Sequence, residues 1–288
     1  MNMPKLIILC GIPGSGKTTY AIEYIKEHGG YRLSSDDIRK QLYGDESIQG
    51  NPNEVFSIMQ NKAIAALNQG TTVVYDATGI TRKDRASIIS ACPKFVKIEC
   101  HVIWAPIETC IERDAARERT VGKEVIDKML KRFQPPFYDE GFNDIKIVLP
   151  DWFIGSEYEN QFMENMKIPH DNPHHTSDVF DHCMHSTLHA INNKFTMDVK
   201  VAALYHDIGK PYVKAFVDSK GNECDVAHYY QHQCVGSWMA YGLEVSPFVV
   251  WLIGVHMDTF LNTKYYNKLP PFLKKQVDLL HEADLAGH

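Results

Sequence analysis

The order of apolar and polar positions divides the 288-residue chain into two parts. Up to about residue 150, short apolar runs alternate with amphipathic segments of helical period, which is typical of a parallel sheet flanked by helices. Strands are expected at residues 6–10, 31–34, 71–76, 95–104 and 145–149. A Pro- and His-rich turn at residues 169–175 precedes a run of predicted helices. We therefore predict an α/β domain over residues 1–150, a connector over 151–168 with a short helix at 162–166, and an all-α bundle over 169–288.

A glycine-rich loop follows the first predicted strand and precedes a predicted helix at residues 19–28. Its sequence, GIPGSGKT, fits G-x-x-x-x-G-K-[ST], in which backbone N–H groups surround the phosphates of a nucleotide. Glycines let the backbone approach phosphate, and the helix N-terminus adds positive potential. We expect Lys17 at the β- and γ-phosphates and the Thr18 hydroxyl on Mg²⁺. The expected nucleotide-binding residues are Gly11, Gly14, Ser15, Gly16, Lys17, Thr18, Thr19 and Arg117.

Carboxylates follow two other strands of the same domain. Asp36 and Arg39 are three residues apart on a predicted helix that Ser34 or Ser35 caps, so they share a face. Phosphoryl transfer to a hydroxyl needs a base such as Asp36. Asp76 ends a buried strand, where a carboxylate on the Mg²⁺ side is usual. The alternative for Asp36 and Arg39 is a capping carboxylate in a surface ion pair.

Two arginines belong to a helix that is expected to begin at Pro106, and a third follows them. Arg113 and Arg117 are four residues apart and therefore on one face, with Arg119 just beyond. Such guanidinium groups can close over a transferring phosphate as a lid. In the alternative, the helix is solvated and its arginines pair with neighbouring acids, namely Glu112, Asp114 and Glu118.

Composition adds an asymmetry between the two parts. Residues 1–150 carry 20 Lys and Arg against 19 Asp and Glu, whereas the remainder carries 10 against 17. All arginines lie in the first part and 12 of the 14 histidines in the second. Seven cysteines without a C-x-x-C pair, no apparent secretory signal and no apolar run of membrane-spanning length predict a cytoplasmic protein. The sequence leaves the oligomeric state open.

Histidines and carboxylates of the second part form a candidate metal site. His206 and Asp207 are adjacent at the end of a predicted helix that Gly209 and Pro211 stop. His182, His232, His256 and Asp284 each belong to a different predicted helix, and bundles build metal sites from facing side chains in this way. Lys210 either faces a phosphate or serves as a cation at the helix C-terminus.

The first part resembles the phage-type 5′-hydroxyl polynucleotide kinases of the P-loop phosphotransferase superfamily. The resemblance rests on GIPGSGKTTY, SSDDIRK, VVYDATGITRKDR and the arginines before VGKEVIDKMLKRF. It implies that Lys17 and Thr18 bind ATP and Mg²⁺, that Asp36 is the general base, that Arg39 contacts the acceptor-side phosphate and that Asp76 orients Arg39. Arg113 and Arg117 match the lid arginines. Gly79 stands where these kinases often have Asn, and Arg119 is an additional arginine.

The second part resembles the HD phosphohydrolase superfamily, and in particular the subgroup seen in bacterial tRNA nucleotidyltransferases. The pattern H…HD…D is present as His182, His206-Asp207 and Asp284, together with HDIGKP, HYYQHQCVGSWMA, WLIGVHMD and a hairpin around residues 219–222. The resemblance implies one or two ions of Mn²⁺, Ni²⁺, Co²⁺ or Fe, with His232 and His256 as ligands of a second ion. His175, His185 and His189 are candidates for groups that surround the metal ligands without binding the metal directly.

Three functions remain open at the sequence level. The first is an end-healing enzyme that phosphorylates 5′-hydroxyl ends of RNA or DNA and removes 2′,3′-cyclic or 2′/3′-phosphates. Enzymes that pair these modules in the reverse order are known, and such an enzyme would act alongside a polynucleotide ligase. The second is a kinase of nucleosides or metabolites fused to an HD nucleotide phosphohydrolase, which the net charge of −6 favours. The third is a non-catalytic nucleotide switch.

Overall fold

A computed structural model describes residues 3–173 and 177–288. The chain divides into two compact units, the first comprising residues 1–129 and 136–151 and the second residues 130–135 and 152–288. Predicted positions among residues 174–176, His175 included, lie outside the described residues. In the described ranges, no helix is both long and apolar enough to cross a membrane.

The first unit is built on a five-stranded parallel sheet. Its strands are β1 (Lys5–Cys10), β2 (Tyr31–Ser34), β3 (Val73–Asp76), β4 (Lys97–Ile103) and β5 (Asp144–Val148), in the spatial order β2-β3-β1-β4-β5. Its helices are α1 (Lys17–His28), α2 (Ser35–Tyr43), α3 (Pro52–Asn68), α4 (Arg82–Ala91), α5 (Ile107–Ala115) and α6 (Lys123–Leu130). The predicted parallel sheet flanked by helices is confirmed.

The sequence explains this unit locally. Leu6, Ile7, Ile8, Leu9 and Cys10 are at most 1% exposed, as expected of a central parallel strand covered on both faces. Polar side chains start the helices, since the Ser34 hydroxyl accepts two N–H groups of α2 and Thr81 and Asp84 form a capping box on α4. Pro106 is the N-cap of α5 rather than its first residue.

The second unit is mostly helical. Its helices are α7 (Gly155–Asn165), α8 (Val179–Asn192), α9 (Met197–Tyr205), α10 (Lys210–Val213), α11 (His232–Ala240), α12 (Pro247–Val255), α13 (Lys264–Asn267) and α14 (Pro271–Ala286). An antiparallel hairpin of β6 (Ala215–Val217) and β7 (Glu223–His228) interrupts them, so the prediction of an all-α domain is wrong in this respect. The hairpin itself was expected from the resemblance.

Two local predictions for this unit differ from the structure. The connector at residues 151–168 contains the eleven-residue helix α7, which begins seven residues before the short helix expected at 162–166. Pro211 does not end helical structure but lies in the first turn of α10, where its missing N–H costs no hydrogen bond.

A short segment, Leu130–Pro135, packs within the second unit although strand β5 of the first unit follows it in the chain. Phe133 is 1% exposed, and its ring meets the rings of Trp238 and Tyr241 edge-on at centroid distances of 5.3 and 6.2 Å. Pro135 lies against Gly254, where an added Cβ would come within 2.7 Å of the proline ring. The predicted boundary at residue 150 therefore separates this segment from the residues that it contacts.

Candidate active sites

The glycine-rich loop GIPGSGKT, which we call the phosphate loop, joins the end of β1 to the start of α1. Gly14 has a φ of +80°, and an added Cβ would lie 2.0 Å from the carbonyl oxygen of Cys110, so only glycine fits there. The Gly11 N–H donates to the carbonyl of Thr78 at 3.0 Å. The Ser15 hydroxyl is buried and has no hydrogen-bond partner among the described residues. Together with the first N–H groups of α1, which lack partners within the helix, it can bind an anion.

The ammonium group of Lys17 lies over the same loop. Its Nζ donates to the carbonyl of Ile12 at 2.8 Å. Burial lowers the pKa of Lys17; the carboxylate of Asp76 opposes this shift and the guanidinium of Arg117 adds to it. Thr18 and Thr19 are exposed in the first turn of α1. The loop therefore fits a nucleoside triphosphate, with the Thr18 hydroxyl available for Mg²⁺.

Asp36 and Arg39 form a pair in the first turns of α2. The Ser34 hydroxyl accepts the N–H of Asp36 at 3.2 Å and that of Asp37 at 3.4 Å, so the helix begins directly at the end of β2. Arg39 Nη1 donates to Asp36 Oδ1 at 2.8 Å. The Asp36 side chain is 51% exposed, whereas the Nε of Arg39 is buried without a partner among the described residues. The pair thus offers a carboxylate that a substrate can reach and an N–H that can still donate.

Asp76 does not contact Arg39 through any hydrogen bond that we observe, which differs from the role that the resemblance implies. Its Oδ2 accepts from Nε and Nη2 of Arg32 at 2.9 and 2.7 Å, and Arg32 Nη1 also donates to Asp37 at 2.8 Å. Register explains this pairing. Ser34 lies beside Asp76 on the neighbouring strand, and Arg32, two residues earlier, points to the same face.

The arginine-bearing helix is shorter than the sequence predicts. Helix α5 ends at Ala115, so Arg117 lies beyond it and is not on a helical face with Arg113. The cause is Asp114, which is 2% exposed and accepts the N–H groups of Val121 and Gly122 at 3.0 and 2.9 Å. The chain folds back onto this carboxylate, which is therefore not a surface partner for the arginines.

The arginines reach different parts of the unit. An added Cβ on Gly16 would lie 3.9 Å from Nη1 of Arg113, which places that guanidinium beside the phosphate loop. Arg119 Nη1 lies 3.9 Å from Asp36 Oδ1 and 3.5 Å from Glu46 Oε1. Arg119, the arginine additional to the resemblance, therefore lies near the Asp36 carboxylate.

The predicted metal ligands of the second unit converge in two groups. In the first group, His182 Nε2 lies 3.2 Å from His206 Nε2, and these nitrogens lie 3.0 and 3.3 Å from Asp284 Oδ1. Oδ2 of Asp207 is 3.6 Å from His182 Nε2 and 3.4 Å from His206 Nε2. Two imidazoles and two carboxylates therefore surround a single point.

The second group shares the Asp207 carboxylate through its other oxygen. Oδ1 of Asp207 lies 3.1 Å from His232 Nε2 and 4.0 Å from His256 Nε2, and the two imidazole nitrogens are 3.1 Å apart. One carboxylate thus faces two histidine pairs with its two oxygens. Such a carboxylate can bridge two metal ions.

Backbone carbonyls orient three of these imidazoles. Because a carbonyl only accepts, Nδ1 of each ring carries a proton and Nε2 faces the cluster. The pairs are His206 with Ala203 at 2.8 Å, His232 with Tyr229 at 2.9 Å and His256 with Ile253 at 2.8 Å. The donor set of imidazoles and carboxylates suits a divalent transition metal.

Close packing at Gly209 brings the two groups together. A Cβ on Gly209 would lie 2.1 Å from the carbonyl oxygen of His232 and 2.6 Å from the backbone nitrogen of Gly236. The turn that follows Asp207 therefore lies directly on the first turn of α11. A side chain at this position would push Asp207 away from His232.

The charges of the cluster are set by burial and by ion pairs. Burial by itself raises the pKa of the Asp207 carboxyl, but Lys210 and His206 hold it well below its usual range. Lys210 Nζ lies 2.6 Å from Asp207 Oδ2. Burial lowers the pKa of His256 to about 3, so this ring is a neutral imidazole, as a metal ligand must be. The residues therefore fit one or two divalent ions.

The remaining histidine candidates lie elsewhere in the second unit. Nε2 of His189 lies 3.1 Å from Glu282, and His185 is exposed. His288 shares a possible ligand group with His182 and Asp284. Neither His185 nor His189 belongs to the groups described above, and His175 lies outside the described residues.

Residues 6–136 match the family model of an AAA domain (AAA_33). The match covers less than half of the chain. A chain of the Pnkp1/Rnl/Hen1 RNA repair complex is similar at 25% identity over 46% of this chain and 44% of that chain, with a TM-score of 0.42. This chain thus spans less than half of the other's length.

Two small-molecule kinases are similar over about half of the chain. A gluconokinase from Sinorhizobium meliloti shares 16% identity over 52% of this chain and 84% of that chain, with a TM-score of 0.38. Shikimate kinase from Acinetobacter baumannii shares 16% identity over 49% and 82%, with a TM-score of 0.35.

Sequence reasoning missed two residues that the structure places at these sites. The sequence places Arg32 only in a strand, and the pairing of β2 with β3 is the signal that brings it to Asp76. The sequence places His170 only in a turn. It is 1% exposed, and burial together with the Lys210 ammonium lowers its pKa to about 4.

Proposed function

We propose that this chain is a bifunctional nucleic-acid end-healing enzyme. The first unit phosphorylates 5′-hydroxyl ends with ATP, and the second hydrolyses 2′,3′-cyclic or 2′/3′-phosphate ends with a metal. The observation that carries the proposal is that one chain combines a phosphate loop and an Asp36–Arg39 pair with the Asp207-centred cluster. RNA or DNA ends would be the substrate and a polynucleotide ligase the functional partner.

In the kinase reaction, the residues of the first unit position and polarise two substrates. The loop N–H groups and Lys17 bind the triphosphate, and Mg²⁺ at Thr18 would neutralise its charge. The Asp36 carboxylate accepts the proton of the 5′-hydroxyl as that oxygen attacks the γ-phosphorus, and the bond from that phosphorus to the β–γ bridging oxygen breaks to release ADP. The Arg39 guanidinium has five N–H groups and donates to a phosphate next to that hydroxyl, which favours a nucleic-acid end. Arg113 beside the loop stabilises the transferring phosphoryl group.

In the hydrolase reaction, the cluster holds the metal and orients the phosphate. His182, His206, Asp207 and Asp284 would hold one ion, while the Asp207 carboxylate with His232 and His256 would hold a second. A bound Mn²⁺, Ni²⁺, Co²⁺ or Fe ion would supply a water of lowered pKa and polarise the phosphoryl oxygen.

The experiment is an assay on labelled oligonucleotides that carry a 5′-hydroxyl and a 3′-phosphate. Asp36→Ala should lower 5′ phosphorylation at least 100-fold and leave Mn²⁺-dependent 3′ dephosphorylation unchanged. Asp207→Asn should do the converse. Asp144→Asn, at the start of β5, and Asp225→Asn, on the exposed side of the hairpin, are matched carboxylate controls that should keep both activities. Loss of both activities in each active-site variant would contradict the assignment of separate sites.

A second candidate is a nucleoside or metabolite kinase fused to a nucleotide phosphohydrolase. The net charge of −6 favours it, because a long nucleic-acid footprint needs a basic surface. An end, however, needs only a few phosphate contacts. Competition between oligonucleotides and nucleosides at equal hydroxyl concentration separates the two, since an end-healing enzyme prefers the oligonucleotide.

A further inference from the structure

The ammonium group of Lys210 is held by a short hydrogen-bonded chain that begins at His170. His170 Nδ1 lies 2.8 Å from the carbonyl oxygen of Ser177, and its Nε2 lies 3.2 Å from Lys210 Nζ. The carbonyl can only accept, so Nδ1 carries the proton and Nε2 is the acceptor that faces the ammonium. The hydrogen-bond directions at His170 are thus fixed by its two neighbours.

Three groups define the position of the Lys210 ammonium. Asp207 Oδ2 lies at 2.6 Å on one side and His170 Nε2 at 3.2 Å on another, while the ring of Tyr229 lies 5.5 Å from Nζ. The Tyr229 hydroxyl in turn donates to the carbonyl of His170. A lysine ammonium has three protons, and the hydrogen bond to His170 engages one of them, whereas Asp207 Oδ2 is an ion-pair partner that accepts no hydrogen bond among the described residues. A further proton is therefore available to an acceptor at the cluster.

We propose that His170 is a positioning residue, which aims a further N–H of Lys210 at a phosphate oxygen of the hydrolase substrate. The inference rests on the proposed hydrolase function. A lysine side chain is flexible, with about 2 kcal/mol of rotamer entropy. A buried acceptor opposite Asp207 restricts it to one direction before substrate binds. His170 therefore acts through Lys210 and does not itself contact the reacting atoms.

Two conservative variants distinguish positioning from packing. The side-chain amide of His170→Gln reaches about as far as Nε2 and can still accept from Lys210. The amide of His170→Asn reaches only as far as Nδ1, so it keeps the contact with Ser177 and loses Lys210. We expect His170→Asn to lower kcat/KM for phosphoester hydrolysis at least tenfold, as Lys210→Ala does, and His170→Gln to stay within threefold of the wild type. His170→Asn combined with Lys210→Ala should be no worse than Lys210→Ala alone.

Two readouts do not depend on turnover. Binding of inorganic phosphate to the Mn²⁺-loaded protein should weaken by the same factor in His170→Asn and Lys210→Ala, but not in His170→Gln. In the ¹⁵N spectrum of the metal-free protein, His170 should show a protonated Nδ1, and Lys210→Ala should shift the resonance of its Nε2. Bound Mn²⁺ should be equal in all variants, because none of the changes removes a ligand.

The outcomes separate this inference from the proposed function. If the wild type hydrolyses phosphoesters and His170→Asn is equally active, His170 does not position Lys210. The same conclusion follows if the loss of kcat/KM in the double variant equals the product of the losses in the two single variants. If the wild type shows no phosphoester hydrolysis, and phosphate binding nevertheless follows the expected pattern, the positioning role stands and the proposed reaction is wrong. If the wild type neither hydrolyses phosphoesters nor binds phosphate, both are wrong.

Discussion

Replacing Arg32 by alanine tests the pairing of the strand ends beside the phosphate loop. The side chain of Asp76 is 6% exposed, and both of the Arg32 nitrogens that it binds lie within 2.9 Å of Oδ2. Breaking a fully buried ion pair costs about 3–5 kcal/mol, because a charge is left without a partner. Arg32 is 21% exposed, so water enters the vacated space and reduces the cost to roughly 2–3 kcal/mol.

The assay is thermal unfolding of the full chain, monitored in the absence of nucleotide. For a domain of about 150 residues, each 1 kcal/mol shifts the Tm by roughly 2–4 °C, so Arg32→Ala should lower the Tm of the first unit by about 5–10 °C. Arg32→Ala/Asp76→Ala should be more stable than Arg32→Ala, because no buried carboxylate remains.

A matched control shows whether the effect comes from burial of the carboxylate. Arg82 is 20% exposed, like Arg32, but Asp139, which it contacts at 2.8 Å, is also 20% exposed. Glu140 is more buried and lies 3.9 Å from Arg82, but it keeps Arg85 at 2.7 Å as its closer partner. Arg82→Ala should therefore cost about 1 kcal/mol or less. If Arg32→Ala is as stable as the wild type, or if both arginine variants lose the same stability, Asp76 does not depend on Arg32 and our account of the strand pairing is wrong.

Three further predictions follow from single contacts. Gly14→Ala should weaken ATP binding more than 100-fold in a calorimetric titration, because its Cβ would collide with the Cys110 carbonyl; near-normal binding would contradict the loop geometry. We expect the wild type to bind two Mn²⁺ and His232→Ala to bind one, as measured by elemental analysis after desalting, whereas equal metal content would exclude the shared carboxylate site. Glu99 accepts hydrogen bonds from Lys5 and His101, which outweigh burial and lower its pKa below 4.5. The stability that it contributes is present above pH 4.5 and is lost as the pH falls below that value. In urea unfolding at a series of pH values, the free energy of unfolding of Glu99→Gln should therefore fall less than that of the wild type as the pH is lowered.

The sequence predicted what depends on local pattern. Continuous apolar runs specified the parallel strands, and the capping residue Ser34 indicated where a helix begins. The spacing of His206-Asp207 relative to the other histidines was also sufficient to assemble the candidate metal ligands, since each lies in or at the end of a separate helix.

What the sequence did not predict depends on contacts between distant residues. Arg32 reaches Asp76 only because β2 and β3 are adjacent and in a particular register. Helix α5 ends early because the Asp114 carboxylate binds N–H groups seven and eight residues ahead, which a periodicity argument does not include. His170 comes to Lys210 across 40 residues of chain.

The placement of Leu130–Pro135 determines how this protein can be divided into fragments. A fragment that ends at residue 150 carries Phe133 and Pro135 without Trp238 and Gly254, and therefore exposes apolar side chains to water. A fragment that begins at residue 152 lacks the ring that fills the space beside Trp238. Deleting such a ring from a core costs about 3–5 kcal/mol, comparable to the whole stability of many domains. Neither fragment is a complete folding unit, so each activity should be isolated by point substitution in the intact chain.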